Sequence, residues 1–158
     1  MAKELDHPNI SPMVHPPVVA LIFIAIAYFL GRFVPLPFPP APVFLRYFGL
    51  TLTFVGFLLG IGAFLEFRKA RTTLDPHGSV RQVVSSGIYR FTRNPIYLGF
   101  LLMVIGLPLN SGIYWGLVMA PFYMTTMTRL VIEREEAYLE KKFKGKYTDY
   151  RARVRRWL

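Results

Sequence analysis

A chain of 158 residues that is 53% apolar and carries a net charge of +10 is the size of one domain. The apolar residues are gathered into long runs, which places the chain among integral membrane proteins rather than soluble ones. With no cysteine, disulfides, thiolate nucleophiles and cysteine-ligated metals are excluded, and His7, His15 and His77 share no ligand spacing, so no metal is expected.

Residues 1–15 are polar and mixed in charge and read as a loose or surface-lying N-terminus. Residues 18–34 form a first apolar span; Ala25-Ile26-Ala27 faintly resembles a signal-peptidase site, but the partly acidic leader is a poor signal and the span reads as an uncleaved helix. The stretch from Pro35 to Pro42 is too rich in proline to be helical and makes a stiff turn. Residues 43–65 form a second span, long enough to cross a hydrocarbon core of about 30 Å. Gly56, Gly60 and Gly62 lie along it, suited either to close helix packing or to a bare backbone that makes room for a ligand.

Residues 66–92 read as a basic, largely irregular loop, with a turn at Asp75-Pro76-His77-Gly78 and a short extended piece at Gln82-Val83-Val84. Residues 95–130 read as an apolar helical hairpin turning at Asn110-Ser111-Gly112, with a kink at Pro121. From 133 to 158 the apolar residues Leu139, Phe143, Tyr147, Tyr150, Val154 and Trp157 recur at steps of three or four among lysines and arginines. That pattern predicts an amphipathic helix at headgroup level, broken near Gly145. The fold expected is therefore a single all-α membrane domain over residues 1–158, with about four spans and an interfacial C-terminal helix.

Charge placement sets the expected partners. Of the 19 lysines and arginines, 16 fall in residues 68–93 and 129–156, beside apolar runs. Such placement follows the positive-inside rule and argues for anionic membrane lipid, not nucleic acid. Four spans would put both termini and the 66–96 loop on the cytoplasmic side of a bacterial or archaeal inner membrane.

Two polar clusters then emerge on that face. Tyr89, Arg90, Arg93 and Tyr97 surround Asn94-Pro95 at the mouth of the hairpin, and Glu133, Glu135 and Glu136 follow its second arm. Arginine takes a carboxylate bidentately, glutamate accepts from an ammonium or from ribose hydroxyls, and tyrosine rings attract a sulfonium. Together they complement a small zwitterion such as S-adenosylmethionine. The same residues also suit simpler duties: arginines as positive-inside anchors, tyrosines as an interfacial belt, and acids in the first turn of a helix.

At these positions the chain resembles the isoprenylcysteine carboxyl methyltransferase family and its bacterial relatives, which also look like phospholipid N-methyltransferases. The matching pieces are Ser86-Gly87-Ile88-Tyr89, Arg93-Asn94-Pro95-Ile96-Tyr97-Leu98-Gly99, Glu135-Glu136, and a tail of Phe143, Tyr147, Tyr150, Arg153 and Val154. The resemblance covers roughly residue 60 to the C-terminus. It implies S-adenosylmethionine contacts at Gln82, Val83, Val84, Tyr89, Asn94, Pro95, Ile96, Tyr97 and Glu135, with Gly60 and Gly62 near the cofactor. Asn94 replaces the histidine of the eukaryotic prenylcysteine enzymes, and Val131 replaces an arginine at their substrate end, which argues against a prenylcysteine carboxylate.

The activity this implies is methylation of a lipid-like or isoprenoid-type amphiphile, on carboxyl oxygen or on nitrogen. Arg93, Tyr97 and Glu136 are the expected catalytic residues; Glu136 or Tyr97 would be the base for an amine acceptor, which must first lose a proton. Two rivals are an NADPH-dependent membrane reductase of the sterol-reductase type and an idle membrane scaffold whose basic tail binds anionic lipid. The Glu135-Glu136 pair and the lack of a Cys-x-x-Lys-Tyr-Gly tail favour methyl transfer over reduction.

Overall fold

Prolines and glycines set where the helices of the computed structural model begin and end. It describes residues 8, 10, 11, 13–72 and 80–158. Helix α1 (Pro16–Phe33) opens on proline, whose missing N–H costs nothing in a first turn. The proline-rich stretch after it is not helical, and α2 (Val43–Lys69) starts immediately behind Pro42. Helix α3 (Pro95–Asn110) again opens on proline, and a turn containing Gly112 at φ +83 leads to α4 (Trp115–Met127). Helix α4 runs without a break through a π turn (Thr128–Ile132) into α5 (Glu133–Phe143). Lys144, at φ 44, then breaks the helix, and α6 (Gly145–Arg153) follows.

All regular structure among the described residues is helical, as expected. Helices α1 and α2 are long and apolar enough to cross a membrane, with only 17% of each apolar window buried in the protein. A core helix of a soluble protein would be mostly buried, so this exposure calls for an apolar surround. Helix α3 is apolar but has 16 residues, a rise of about 24 Å against a hydrocarbon core of about 30 Å. Of the four spans expected, two therefore meet the length requirement, while α3 and α4 form the expected hairpin.

Helix α3 is the hub, packed against α1, α2 and α4. Glycines set the α2–α3 distance: a Cβ at Gly56 would lie 2.5 Å from the Gly99 carbonyl oxygen, and one at Gly106 would lie 2.5 Å from that of Gly49. Both pairs repeat after seven residues, two helical turns, so backbone meets backbone along a continuous seam. Gly60 and Gly62 take no part in it: nothing lies within 4 Å of a Cβ at Gly60, and the nearest atom to one at Gly62 is 3.7 Å away on Ile88. On the other side of α3, Ala20, Ala27, Val104, Tyr123, Met127, Val131 and Ile132 form the main core. Ile10 joins that core at 4% exposure, so the segment before α1 is tied down rather than loose at that residue.

The end of the bundle holding the proline-rich stretch is closed by side chain to backbone bonds. Arg46 Nε donates to the Asn110 carbonyl at 3.0 Å, Trp115 Nε1 to that of Val34 at 2.8 Å, and the Tyr28 hydroxyl to that of Leu107 at 2.9 Å. At the opposite end the loop between α2 and α3 meets α5 and α6. There a second apolar cluster forms from Ala63, Val84, Tyr89, Tyr147 and Tyr150. The expected turn at Asp75-Pro76-His77-Gly78 lies outside the described residues.

Candidate functional site

The return from α2 to α3 is pinned at each step. Gln82 Nε2 donates to the Ala70 carbonyl at 2.5 Å, and the Val80 N–H donates to the Tyr138 hydroxyl at 3.2 Å. The Ser86 hydroxyl donates to Glu66 Oε2 at 2.5 Å, while Lys69 holds Oε1 at 2.8 Å. Gly87 sits over this carboxylate at φ +56, where a Cβ would be 2.6 Å from the Glu66 carboxyl carbon, so only glycine fits. A single 3-10 turn (Gly87–Arg90) then buries Tyr89 and leaves Arg90 exposed. The Tyr150 hydroxyl donates to the Tyr89 carbonyl at 2.7 Å and ties this turn to α6. Residues 80–86 are irregular, so the short extended piece expected at Gln82-Val83-Val84 forms no strand.

The Thr92-Arg93-Asn94 stretch is gripped by the C-terminal tail. The Arg93 N–H donates to the Arg155 carbonyl at 3.0 Å, and the Asn94 side-chain amide donates to the Arg156 carbonyl at 2.9 Å. The Thr92 hydroxyl reaches the same carbonyl at 3.3 Å. Asn94 thus spends its amide on the tail and stands at the N-cap position of α3 without a side-chain bond to the helix.

Two adjacent glutamates meet this stretch and have different surroundings. Glu136 is enclosed by guanidiniums: Arg93 Nη1 lies 3.0 Å from Oε1, and Arg156 binds both oxygens, Nε to Oε1 at 3.0 Å and Nη2 to Oε2 at 2.7 Å. Arg93 Nη1 also donates to the Tyr147 hydroxyl at 3.2 Å, while its Nε is buried without a partner. Glu135 has one bond, from the Tyr97 hydroxyl to Oε1 at 2.7 Å, and no cation within pairing distance among the described residues. The carboxyl is deep in the protein yet keeps surface on the cavity it lines. Desolvation raises its pKa to about 7; the Tyr97 bond works against this, and the charge of Glu136 adds to it.

Neighbouring groups follow the same physics. Burial raises the Tyr89, Tyr147 and Tyr150 phenols, keeping them neutral, and the hydrogen bonds to Glu136 raise Arg156 further. The π turn sits one residue before Glu133. Its extra residue rotates all that follows by about 100° relative to α4, and it is in this register that Glu135 reaches Tyr97 while Glu136 reaches the arginines.

These groups line one cavity at the end of the bundle. Gln82, Val83, Val84, Tyr89, Arg93, Asn94, Pro95, Ile96, Tyr97, Glu135 and Glu136 all contribute, joined by Phe67, Tyr138, Leu139, Tyr147 and Tyr150. Most site residues expected from sequence are thus brought together; Gly60, Gly62, Arg90 and Glu133 do not line the cavity. Sequence reasoning missed Arg156 and Tyr138. No signal singled out Arg156 among the many cations of the tail, whereas Tyr138, three residues after Glu135, shares its helical face.

A neutral-to-acidic carboxylate, a buried arginine nitrogen lacking an acceptor, and tyrosine walls make a site for a small cation that also carries polar groups. Comparison with known proteins bears on the family of the chain rather than on the ligand. An uncharacterized protein of Haemophilus influenzae is 36% identical over 66 residues, 40% of this chain and the whole of that protein. No solved structure matches the chain. Residues 44–146, well over half the chain and including the cavity's main walls, match the phospholipid methyltransferase family. The chain belongs to that family.

Proposed function

We propose that this protein is an integral membrane methyltransferase that binds S-adenosylmethionine in the cavity and methylates the amine of a lipid-like amphiphile at the cytoplasmic interface. The observation that carries the reading is the difference between the paired carboxylate of Glu136 and the unpaired, cavity-lining carboxylate of Glu135. In this reading α3 and α4 are also embedded, which puts the cavity beside the headgroups and lets an amphiphile arrive laterally from the bilayer.

The residues present fit the cofactor. Glu135 would face its positive charge, with the cavity-lining rings of Tyr89 and Tyr147 available for cation–π attraction. Arg93, which lines the cavity, would meet its carboxylate. When bound, S-adenosylmethionine supplies an electrophilic methyl group, and transfer is an in-line displacement that needs positioning and exclusion of water.

Glu135, rather than Glu136, is the base in this proposal. Glu136 is committed to two guanidiniums and has no reason to take a proton. Glu135 titrates near 7, which suits a group that collects a proton at neutral pH. A cationic ligand in the cavity favours its ionised form, leaving Oε2, which has no hydrogen-bond partner among the described residues, to accept the proton from an acceptor ammonium. Tyr97 orients that carboxylate through Oε1. A carboxylate acceptor is disfavoured: among the described residues the only lysine or arginine lining the cavity is Arg93, which the cofactor's own carboxylate would engage, and Glu135 would repel a second one.

Calorimetric titration of the detergent-solubilised protein with S-adenosylmethionine and with NADPH tests the proposal. Saturable binding of the first alone is expected. Binding of NADPH alone would favour a reductase, and binding of neither would favour a scaffold.

A further inference from the structure

The last residues of the chain do more than cover the bundle end. Arg156 touches both halves of the charged wall. Its carbonyl accepts from Asn94 at 2.9 Å and Thr92 at 3.3 Å, and its guanidinium takes both oxygens of Glu136. The groups it touches are buried: Thr92 is 1% exposed and Asn94 9%. The Arg93 and Glu136 side chains are 9% and 10% exposed, whereas that of Arg156 is 32% exposed at the rim.

We propose that Arg156 is a positioning residue that sets the Arg93–Glu136 pair, and through it the charge state of the cavity, from outside. Glu136 Oε1 is shared by Arg93 and Arg156, but Oε2 is held by Arg156 alone among the described residues. Removing the Arg156 guanidinium leaves a single-point contact from Arg93 in place of a two-cation clamp, so among the described residues the Arg93 side chain and Glu136 are held together through Nη1 alone, which Tyr147 also shares. It also leaves more of the Glu136 charge uncompensated beside Glu135. The groups facing Glu135 are Glu136 on its own helix, Tyr97 on α3, Tyr89 in the 3-10 turn, and Arg93 on the cavity wall. Arg153 and Arg155, exposed on the same tail, have no such contact among the described residues: the Arg153 side chain donates to the Asp149 carbonyl, and Arg155 contributes its backbone.

This inference rests on the cofactor reading above, and its test separates the two. Arg156→Gln and Arg156→Lys are made in the full chain, with and without Glu136→Gln. Two quantities are read: S-adenosylmethionine affinity by calorimetry, and the titration of Glu135 in ligand-free protein by NMR of side-chain-labelled glutamate. Arg156→Gln is expected to weaken binding about tenfold and to move the Glu135 midpoint upward. Lysine, a one-point donor, should restore part of both. In the Glu136→Gln background, Arg156→Gln should change affinity by less than about twofold, because the group it acts through is gone. An unmoved Glu135 midpoint, or losses that add across the two backgrounds, would overturn the assignment. If the wild type binds no S-adenosylmethionine, the proposed function falls and the Glu135 midpoint alone decides the role of Arg156. If Arg156→Gln does not fold, the lysine variant carries the same comparison.

Discussion

Binding of a cation in the cavity should displace a proton from Glu135, and the size of the effect follows from its surroundings. Burial holds this carboxyl near 7, against an ordinary value of 4.5, so at neutral pH it is about half ionised and near pH 6 about one tenth. A ligand that requires the ionised form pays for that fraction, and its apparent affinity should fall about fivefold from pH 7 to pH 6. About half a proton per site should be released on binding at pH 7. Calorimetry in buffers of different ionisation enthalpy measures this release directly; the release retained by Glu135→Gln gives the contribution of the ligand's own groups. The folded chain carries the opposite linkage. A group whose folded pKa is raised holds a proton that the unfolded chain has lost, so this contribution to stability is present below about pH 4.5 and disappears as pH rises through 7. Proton release that is zero in the wild type, or unchanged in Glu135→Gln, would refute the reasoning.

Three further outcomes follow from the geometry. Tyr97→Phe removes the hydroxyl that lowers the Glu135 pKa, so the pH below which affinity falls should move upward with the fold intact, as read by the same titration. Glu136→Gln leaves Arg93, 9% exposed, as an uncompensated buried charge and should cost about 3–5 kcal/mol in denaturant unfolding. Gly56→Val would drive a side chain into the Gly99 carbonyl, 2.5 Å from the new Cβ, and should destabilise by about 1–3 kcal/mol or more; the same change at Gly60, where nothing lies within 4 Å, should be tolerated in a thermal unfolding assay.

Much of the fold was legible because breakers are local. Pro16 and Pro95 open helices, the stretch from Pro35 to Pro42 interrupts them, and the α5–α6 break falls at Lys144, beside the glycine that marked it. The cavity was legible too, since a cation–aromatic motif and an acidic motif flank a hairpin that must bring them together. What sequence does not carry is register. Glu135 and Glu136 are neighbours of identical chemistry, and only the π turn and the positions of Tyr97, Arg93 and Arg156 give one a phenol and the other two arginines. Span number is equally hard to read: α3 is apolar throughout, yet its length is set by Asn110 and the turn that follows. The glycines illustrate both sides. The seven-residue repeats at Gly49 and Gly56 and at Gly99 and Gly106 could have been read as a packing seam, while Gly60 and Gly62, marked by the family resemblance, take no part in that seam and do not line the cavity.

The most direct measurement is transfer of a labelled methyl group from S-adenosylmethionine to a total lipid extract by the purified protein, with the products identified by mass spectrometry. Label on the amine of an amphiphile, abolished by Glu135→Gln in a variant that still folds, is the expected result. No labelled lipid under saturating donor, or label confined to carboxyl groups and indifferent to Glu135, would contradict the proposal.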